Sequence, residues 1–157
     1  MLRRFAENTL IKLTQITFKR VLKGDYSTMD SVFEFLCKLC DPEKDGKSAA
    51  LRLLGLTLVN SALEILGSKI SEFKEILNFS TNILSRALLR VIEKKIEILN
   101  FFKNSMTSNI LVFNQTLRTM FNLIFCAAPF MHEQIESFII SLLKIAESKN
   151  SSNEHQV

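Results

Sequence analysis

The stretch "SVFEFLCKLCDPEK" carries two thiols three residues apart, Cys37 and Cys40. A C-x-x-C pair can be half of a tetrahedral zinc site or the dithiol of a redox enzyme. Zinc needs four ligands, and the other candidates, Cys126, His132 and His155, stand at no metal-binding spacing. The thiols are flanked instead by Val32, Phe33, Phe35, Leu36 and Leu39, the pattern of a helix that faces a core. They are expected to be core side chains with no metal. A second grouping is His132, Glu133 and Glu136. His132 and Glu136 are four apart, a spacing that places neighbours on one helix surface, so local helix stabilisation is expected before acid–base catalysis. Nowhere does a nucleophile context, a glycine-rich phosphate loop or a recognisable pair of catalytic carboxylates occur. The sequence therefore nominates no catalytic, cofactor-binding or metal-ligating residue and no small-molecule substrate.

Charge is the remaining chemical signal. Arg3, Arg4, Lys12, Lys19, Arg20 and Lys23 fall in the first 23 positions against one acid, Glu7, in a chain whose net charge is only +4. Such asymmetry suits an anionic membrane surface or nucleic acid, although a solvated helix face has the same look. Base stacking needs exposed aromatic rings, and most of the 13 Phe sit at helical spacing beside Leu and Ile, as core residues do. No nucleic-acid partner is expected, while peripheral contact with an anionic membrane stays open.

These residues must be positioned by helices. A chain of 157 residues that is 47% hydrophobic can bury one domain's core, and four Gly with two Pro are too few for the turns of a β-sandwich or barrel. In the first segment Leu2, Ala6, Leu10, Leu13, Ile16 and Val21 make one apolar stripe. Ser27 and Asp30 have capping-box spacing and open a second helix, which "DPEKDGK" ends with Pro42 and Gly46. In "LRLLGLTLVNSALEILG", with Ser48 as cap and Gly67 as stop, the polar residues Thr57, Asn60, Ser61 and Glu64 fill an arc of roughly 100°. The rest of that helix is apolar, so it should have neighbours on more than one side. "KKIEILNFFKNSM" suits either a helix or a loop with one helical turn. "SNILVFNQTLRTMFNLIFCAA" is a second apolar helix, ended or restarted at Pro129. The last helix puts Ile135, Phe138, Ile139, Leu142, Leu143 and Ala146 on one side, and the polar tail 148–157 is expected to be disordered. Six or seven helices result, with a stacked row of antiparallel pairs favoured over a bundle.

The segment from Met1 lacks the uninterrupted apolar core of a secretory signal, and the longest uncharged apolar runs fall short of the roughly 20 residues that cross a bilayer. Three Cys make no disulfide framework, which points to a reducing, cytoplasmic setting.

Four stretches in order, "LRRFAENTLIKLTQITFKRV", "SVFEFLCKLCDPEK", "LRLLGLTLVNSALEILG" and "MHEQIESFIISLLKIAE", resemble one continuous region of the large ARF guanine-nucleotide-exchange factors of the Sec-seven family. The likeness is strongest to the brefeldin-A-resistance class with the Gea and GNOM proteins. Leu54, Gly55, Leu56, Leu58, Asn60, Ala62, Leu63, Glu64 and Gly67 match the family's "LGL-L-N-ALE-G" helix. The resemblance implies an armadillo-like α-solenoid, with residues 1–24 closing the DCB region and 25–147 belonging to HUS, the "homology upstream of Sec-seven". It implies a non-catalytic, cytoplasmic segment peripherally associated with Golgi membrane in vesicle-mediated transport. Its expected partners are ARF-type or Rab-type GTPases, other regions of an exchange factor, and copies of itself. The exchange domain, with its catalytic glutamate, and the Asn-Tyr-Asp-Cys box lie outside these residues. A generic helical-repeat adaptor unrelated to ARF exchange is the alternative.

Overall fold

The computed structural model describes residues 2–42, 48–101 and 110–153. Among these, every regular element is helical. Helix α1 spans Leu2–Val21, α2 Met29–Cys40 and α3 Ala49–Leu66, followed by a 3-10 segment, Gly67–Glu72. A short α4, Lys74–Asn78, runs through a π-helical stretch, Phe79–Leu84, into α5, Ser85–Phe101. Helix α6 is Ile110–Ala127, and α7, His132–Asn153, begins after a 3-10 turn at Ala128–Phe130 that contains Pro129. With α4 and α5 taken as one unit there are six long helices among the described residues.

Several helix ends obey their local chemistry. The Ser48 hydroxyl accepts the Leu51 N–H at 3.2 Å and caps α3, and Gly67 ends it at φ +52°, where its N–H reaches the Leu63 carbonyl. The expected capping box at Ser27 does not form. Thr28 is the N-cap of α2 and makes no side-chain cap, because the Ser27 hydroxyl donates to Asp25 at 3.0 Å. Asp25 in turn holds Arg20 at 2.5 Å, and these two partners keep its carboxyl below the usual range. "KKIEILNFFKNSM" is helical as far as Phe101; its remainder, like Gly46 and His155, lies outside the described residues. The tail expected to be disordered from Ser148 is helical to Asn153. An α-helix closes its own backbone hydrogen bonds, so a helix already nucleated can run past its last apolar contact.

The helices form two layers. In one, α3 lies between α1 and α6; in the other, the α4–α5 unit lies between α2 and α7. α2 packs across on α3 and α5 on α6, so the whole is a short all-α solenoid whose middle helices are covered on several sides. The enclosed core runs through both layers, from Phe18 and Phe33, whose rings meet edge to face at 5.9 Å, through Leu56, Leu63, Leu88 and Ile92 to Leu123 and Phe138.

Two expected apolar stripes are buried only in part. On α1 the face against α3 is Ile11, Thr14, Phe18 and Val21, whereas Leu10, Leu13 and Ile16 are exposed. This helix has apolar residues on two sides, and periodicity alone does not say which one meets the core. On α7, Phe138 is buried as expected, but Ile139 and Leu143 face outward. By length and composition the helical stretches Ala49–Glu72 and Ile110–Phe130 are each sufficient to cross a membrane, because the helices continue past the polar residues that interrupt the uncharged runs. Here the two pack against each other.

Candidate functional site

α3 has no water-facing polar side of the kind its sequence suggests. Asn60 and Ser61 are buried, Thr57 is half-buried, and Glu64 alone of the arc is exposed. The arc faces α6. Asn60 donates through Nδ2 to Thr119 Oγ1 at 2.8 Å and accepts at Oδ1 from Asn122 Nδ2 at 2.8 Å. The Thr119 hydroxyl donates to the Gln115 carbonyl at 2.8 Å, so Asn60, Thr119 and Asn122 each have a partner. At the rim, Arg118 reaches Glu64 at 2.9 Å. Gln115, Arg118, Thr119 and Asn122 repeat the 0, 3, 4, 7 spacing of Thr57, Asn60, Ser61 and Glu64. That shared spacing is the signal that could have paired the two helices from sequence.

Gly55 fixes a second contact. A Cβ built there would stand 2.8 Å from Leu39 Cβ and 3.3 Å from the Leu39 carbonyl carbon. Only glycine allows α2 and α3 so close, and Gly55 with Asn60 accounts for two matched positions of the "LGL-L-N-ALE-G" helix. Both are structural positions.

The residues that could have done chemistry are dispersed. Cys37 and Cys40 are wholly enclosed in α2; Cys40 contacts the Leu36 carbonyl at 3.4 Å, and burial, followed by Cys40 and Glu34, pushes the Cys37 thiol well above its usual range. Burial also raises Cys126, whose sulfur lies 3.5 Å from the Leu63 carbonyl. Burial that disfavours the thiolate works against nucleophilic and metal-binding chemistry at Cys37 and Cys126. His132, Glu133 and Glu136 are exposed on the first turns of α7. Among the described residues no three His, Cys, Asp or Glu side chains come together in a metal-binding group. A surface concavity lined by Pro42, Arg52, Val91, Lys94, Lys95, Val112 and Phe113 brings three cations together but no general base or nucleophile.

What the surface does offer is apolar area. At the α1 end Phe5, Leu13 and Ile16 are more than half exposed, and at the far end Phe121, Phe125, Ile139 and Leu143 are too. Phe was expected mainly in the core; Phe18, Phe33 and Phe138 are there, but Phe5 is 73% and Phe125 85% exposed. Patches of this kind mark interaction surfaces. The basic N-terminal residues partly neutralise themselves, since Arg3 pairs with Glu7 at 2.8 Å and Arg20 with Asp25, while Lys12 and Lys19 on α1 and Lys23 in the turn after it are exposed.

A family model described as the HUS domain of Mon2/Sec7/BIG1-like proteins matches residues 27–157, most of the chain. The chain belongs to this HUS-domain family. No curated protein and no solved structure matches it. HUS is a non-catalytic, regulatory region of Sec7-like exchange factors in membrane trafficking.

Proposed function

We propose that the chain is a regulatory and interaction segment of an ARF guanine-nucleotide-exchange factor, acting at Golgi membranes in vesicle-mediated transport. It works by binding ARF-type or Rab-type GTPases, other regions of an exchange factor and copies of itself, with peripheral contact to anionic lipid through the lysines of α1. In this reading residues 1–24 close the DCB region and 25–147 form the HUS region. The "LGL-L-N-ALE-G" residues, Leu54 to Gly67, favour the brefeldin-A-resistance class within the family. One observation supports the proposal: the solenoid exposes large apolar side chains at its two ends, Phe5, Leu13 and Ile16 on α1 and Phe121, Phe125 and Leu143 on α6 and α7.

The test is capture by the purified chain of a Sec-seven catalytic region and of ARF-family and Rab-family GTPases in both nucleotide states, with anionic vesicles in parallel. Saturable binding to a GTPase or to the catalytic region is expected. A well-folded chain that binds none of these would remove the proposal's content.

A further inference from the structure

The concavity between α3, α5 and α6 is built from two kinds of side chain. Val91, Val112 and Phe113 line it with apolar surface, and Arg52, Lys94 and Lys95 bring three cations to it. α5 presents Val91, Lys94 and Lys95 together because residues three and four apart share one face of a helix. Arg52 is in the first turn of α3, and Val112 and Phe113 are in the first turn of α6, so two helix N-termini border the same spot. Helix starts carry partial positive charge and favour Asp or Glu, yet neither of these first turns has an acid. Asp41, next to the lining residue Pro42, is engaged by Arg90 at 3.2 Å. Among the described residues Lys94 and Lys95 form no ion pair. Positive charge therefore gathers here with no acid in the lining to offset it.

We infer that this concavity binds a phosphate monoester, carried by a lipid headgroup or by a soluble phosphorylated inositol. Its volume of about 90 Å³ is well below the roughly 300 Å³ at which pockets begin to enclose a whole small molecule, so it takes one charged group and leaves the rest of the ligand outside. A monoester brings a charge of about −1.5 to −2 and three acceptor oxygens, which three cations and two helix starts can share. A carboxylate brings a single charge and would leave the site strongly positive. Arg52 supplies a planar fork, while Lys94 and Lys95 supply point charges on flexible stems that reach the ligand from the rim. The apolar lining lowers the local dielectric, so attraction is stronger here than at the solvated lysines of α1. A phosphopeptide is less suited, because among the described residues there is no strand edge for its backbone to pair with. The site lies on α3, α5 and α6, apart from α1, and is independent of the GTPase and exchange-factor binding proposed above.

Titration of the full chain with inositol trisphosphate, followed by amide chemical shifts, tests this. Saturable shifts are expected at Arg52, Lys94, Lys95 and Val112, and sodium chloride at matched ionic strength should not reproduce them. Lys94→Gln with Lys95→Gln changes one exposed and one half-buried side chain, so it should keep the helical circular dichroism. It should weaken binding about tenfold or more, since two charge-assisted hydrogen bonds are lost. Lys12→Gln with Lys19→Gln removes the same charge from α1 and should change binding by less than about twofold, as expected of distant, screened charges. Flotation with phosphatidylcholine vesicles separates the two sources. A preference for phosphatidic acid over phosphatidylserine at equal surface charge, lost with Lys94 and Lys95, would assign the site to a lipid headgroup. Saturable inositol trisphosphate binding without that preference would assign it to a soluble ligand. The inference is overturned if inositol trisphosphate does not saturate and no preference for phosphatidic acid exists. It is equally overturned if the two double variants lose binding alike, which would mean general positive charge and no site. A phosphoserine peptide bound through Lys94 and Lys95 when neither other probe binds would overturn it in favour of a protein ligand.

Discussion

At the α3–α6 seam polar side chains are inside, with Asn60 3% exposed and Thr119 fully enclosed; at the ends of the row apolar ones are outside, with Phe125 85% exposed. Each region breaks the usual inside-outside pattern for its own reason. The seam can hold amides and a hydroxyl because every one of them finds a partner across the interface or along its own helix, which removes the penalty of drying them. At the ends Phe and Leu stay exposed because, among the described residues, no further helix pair packs on α1, α6 and α7 there. On α3 the polar arc marks the contact with α6, while on α1 and α7 one apolar side is core and the other is surface.

Charge substitution tests that contrast most severely. Leu56 is wholly enclosed on α3, and Leu13 is 55% exposed on α1. Leu56→Lys buries an unpaired ammonium at a cost of at least several kcal/mol, comparable with the stability of a whole domain, so the cooperative thermal transition should be lost. Leu13→Lys should change stability by no more than about 0.5 kcal/mol. If circular dichroism melting showed equal effects, the two regions would not differ as described.

Next in size is the seam itself. Asn60→Ala removes both hydrogen bonds at once and leaves a small void beside Thr119 and Asn122. A loss of about 1–3 kcal/mol in urea unfolding is expected. A loss below about 0.5 kcal/mol would mean that water satisfies these groups equally well and that the pairing only tolerates them.

Gly55→Ala separates local propensity from packing. Inside an isolated helix the change to alanine is favourable by about 1 kcal/mol. Here the new Cβ would meet Leu39 Cβ at 2.8 Å, so the backbones of α2 and α3 must part, at about 1–3 kcal/mol. The net expectation is a modest destabilisation, with the melting temperature falling by about 2–4 °C per kcal/mol in a chain of this size. A rise would show that the two helices do not approach so closely.

Much of this architecture is legible from spacing alone, and the errors share one cause. Helix type, the Ser48 cap, the Gly67 stop, the core placement of Cys37 and Cys40 and the several-sided burial of α3 all follow from local patterns that one helix carries by itself. Which face of a helix with two apolar sides turns inward depends on its neighbours. The stripe read on α1, Leu2 to Val21, therefore meets the core at Val21 but not at Leu10, Leu13 and Ile16, where Ile11 and Phe18 turn inward instead, and the polar arc of α3 turns toward α6. The missing capping box has the same origin at shorter range, since Asp25 takes the Ser27 hydroxyl before α2 can use it. No pattern within one helix names its partner, although the matching polar spacings of α3 and α6 come near to doing so.

The smallest effect concerns Asp30, a half-buried carboxylate in the first turn of α2. Its Oδ1 is enclosed and accepts no hydrogen bond, and burial, followed by repulsion from Glu75, raises its pKa above the usual value. A carboxyl whose folded pKa exceeds its unfolded one favours the fold while protonated, and that contribution is lost as pH rises through the folded pKa. Asp30 therefore costs stability at neutral pH even though a helix N-terminus welcomes negative charge. Glu75→Gln removes the second cause and leaves the first, so the carboxyl should titrate at lower pH by NMR while remaining above the ordinary aspartate value. Stability at pH 7 should rise by no more than about 0.5 kcal/mol. The gain should fade as the pH falls below the Asp30 pKa, where the neutral carboxyl no longer feels its neighbour. A gain that persisted in acid would have to come from the Glu75 side chain's own contacts, and repulsion from Glu75 would then not be what raises the Asp30 carboxyl.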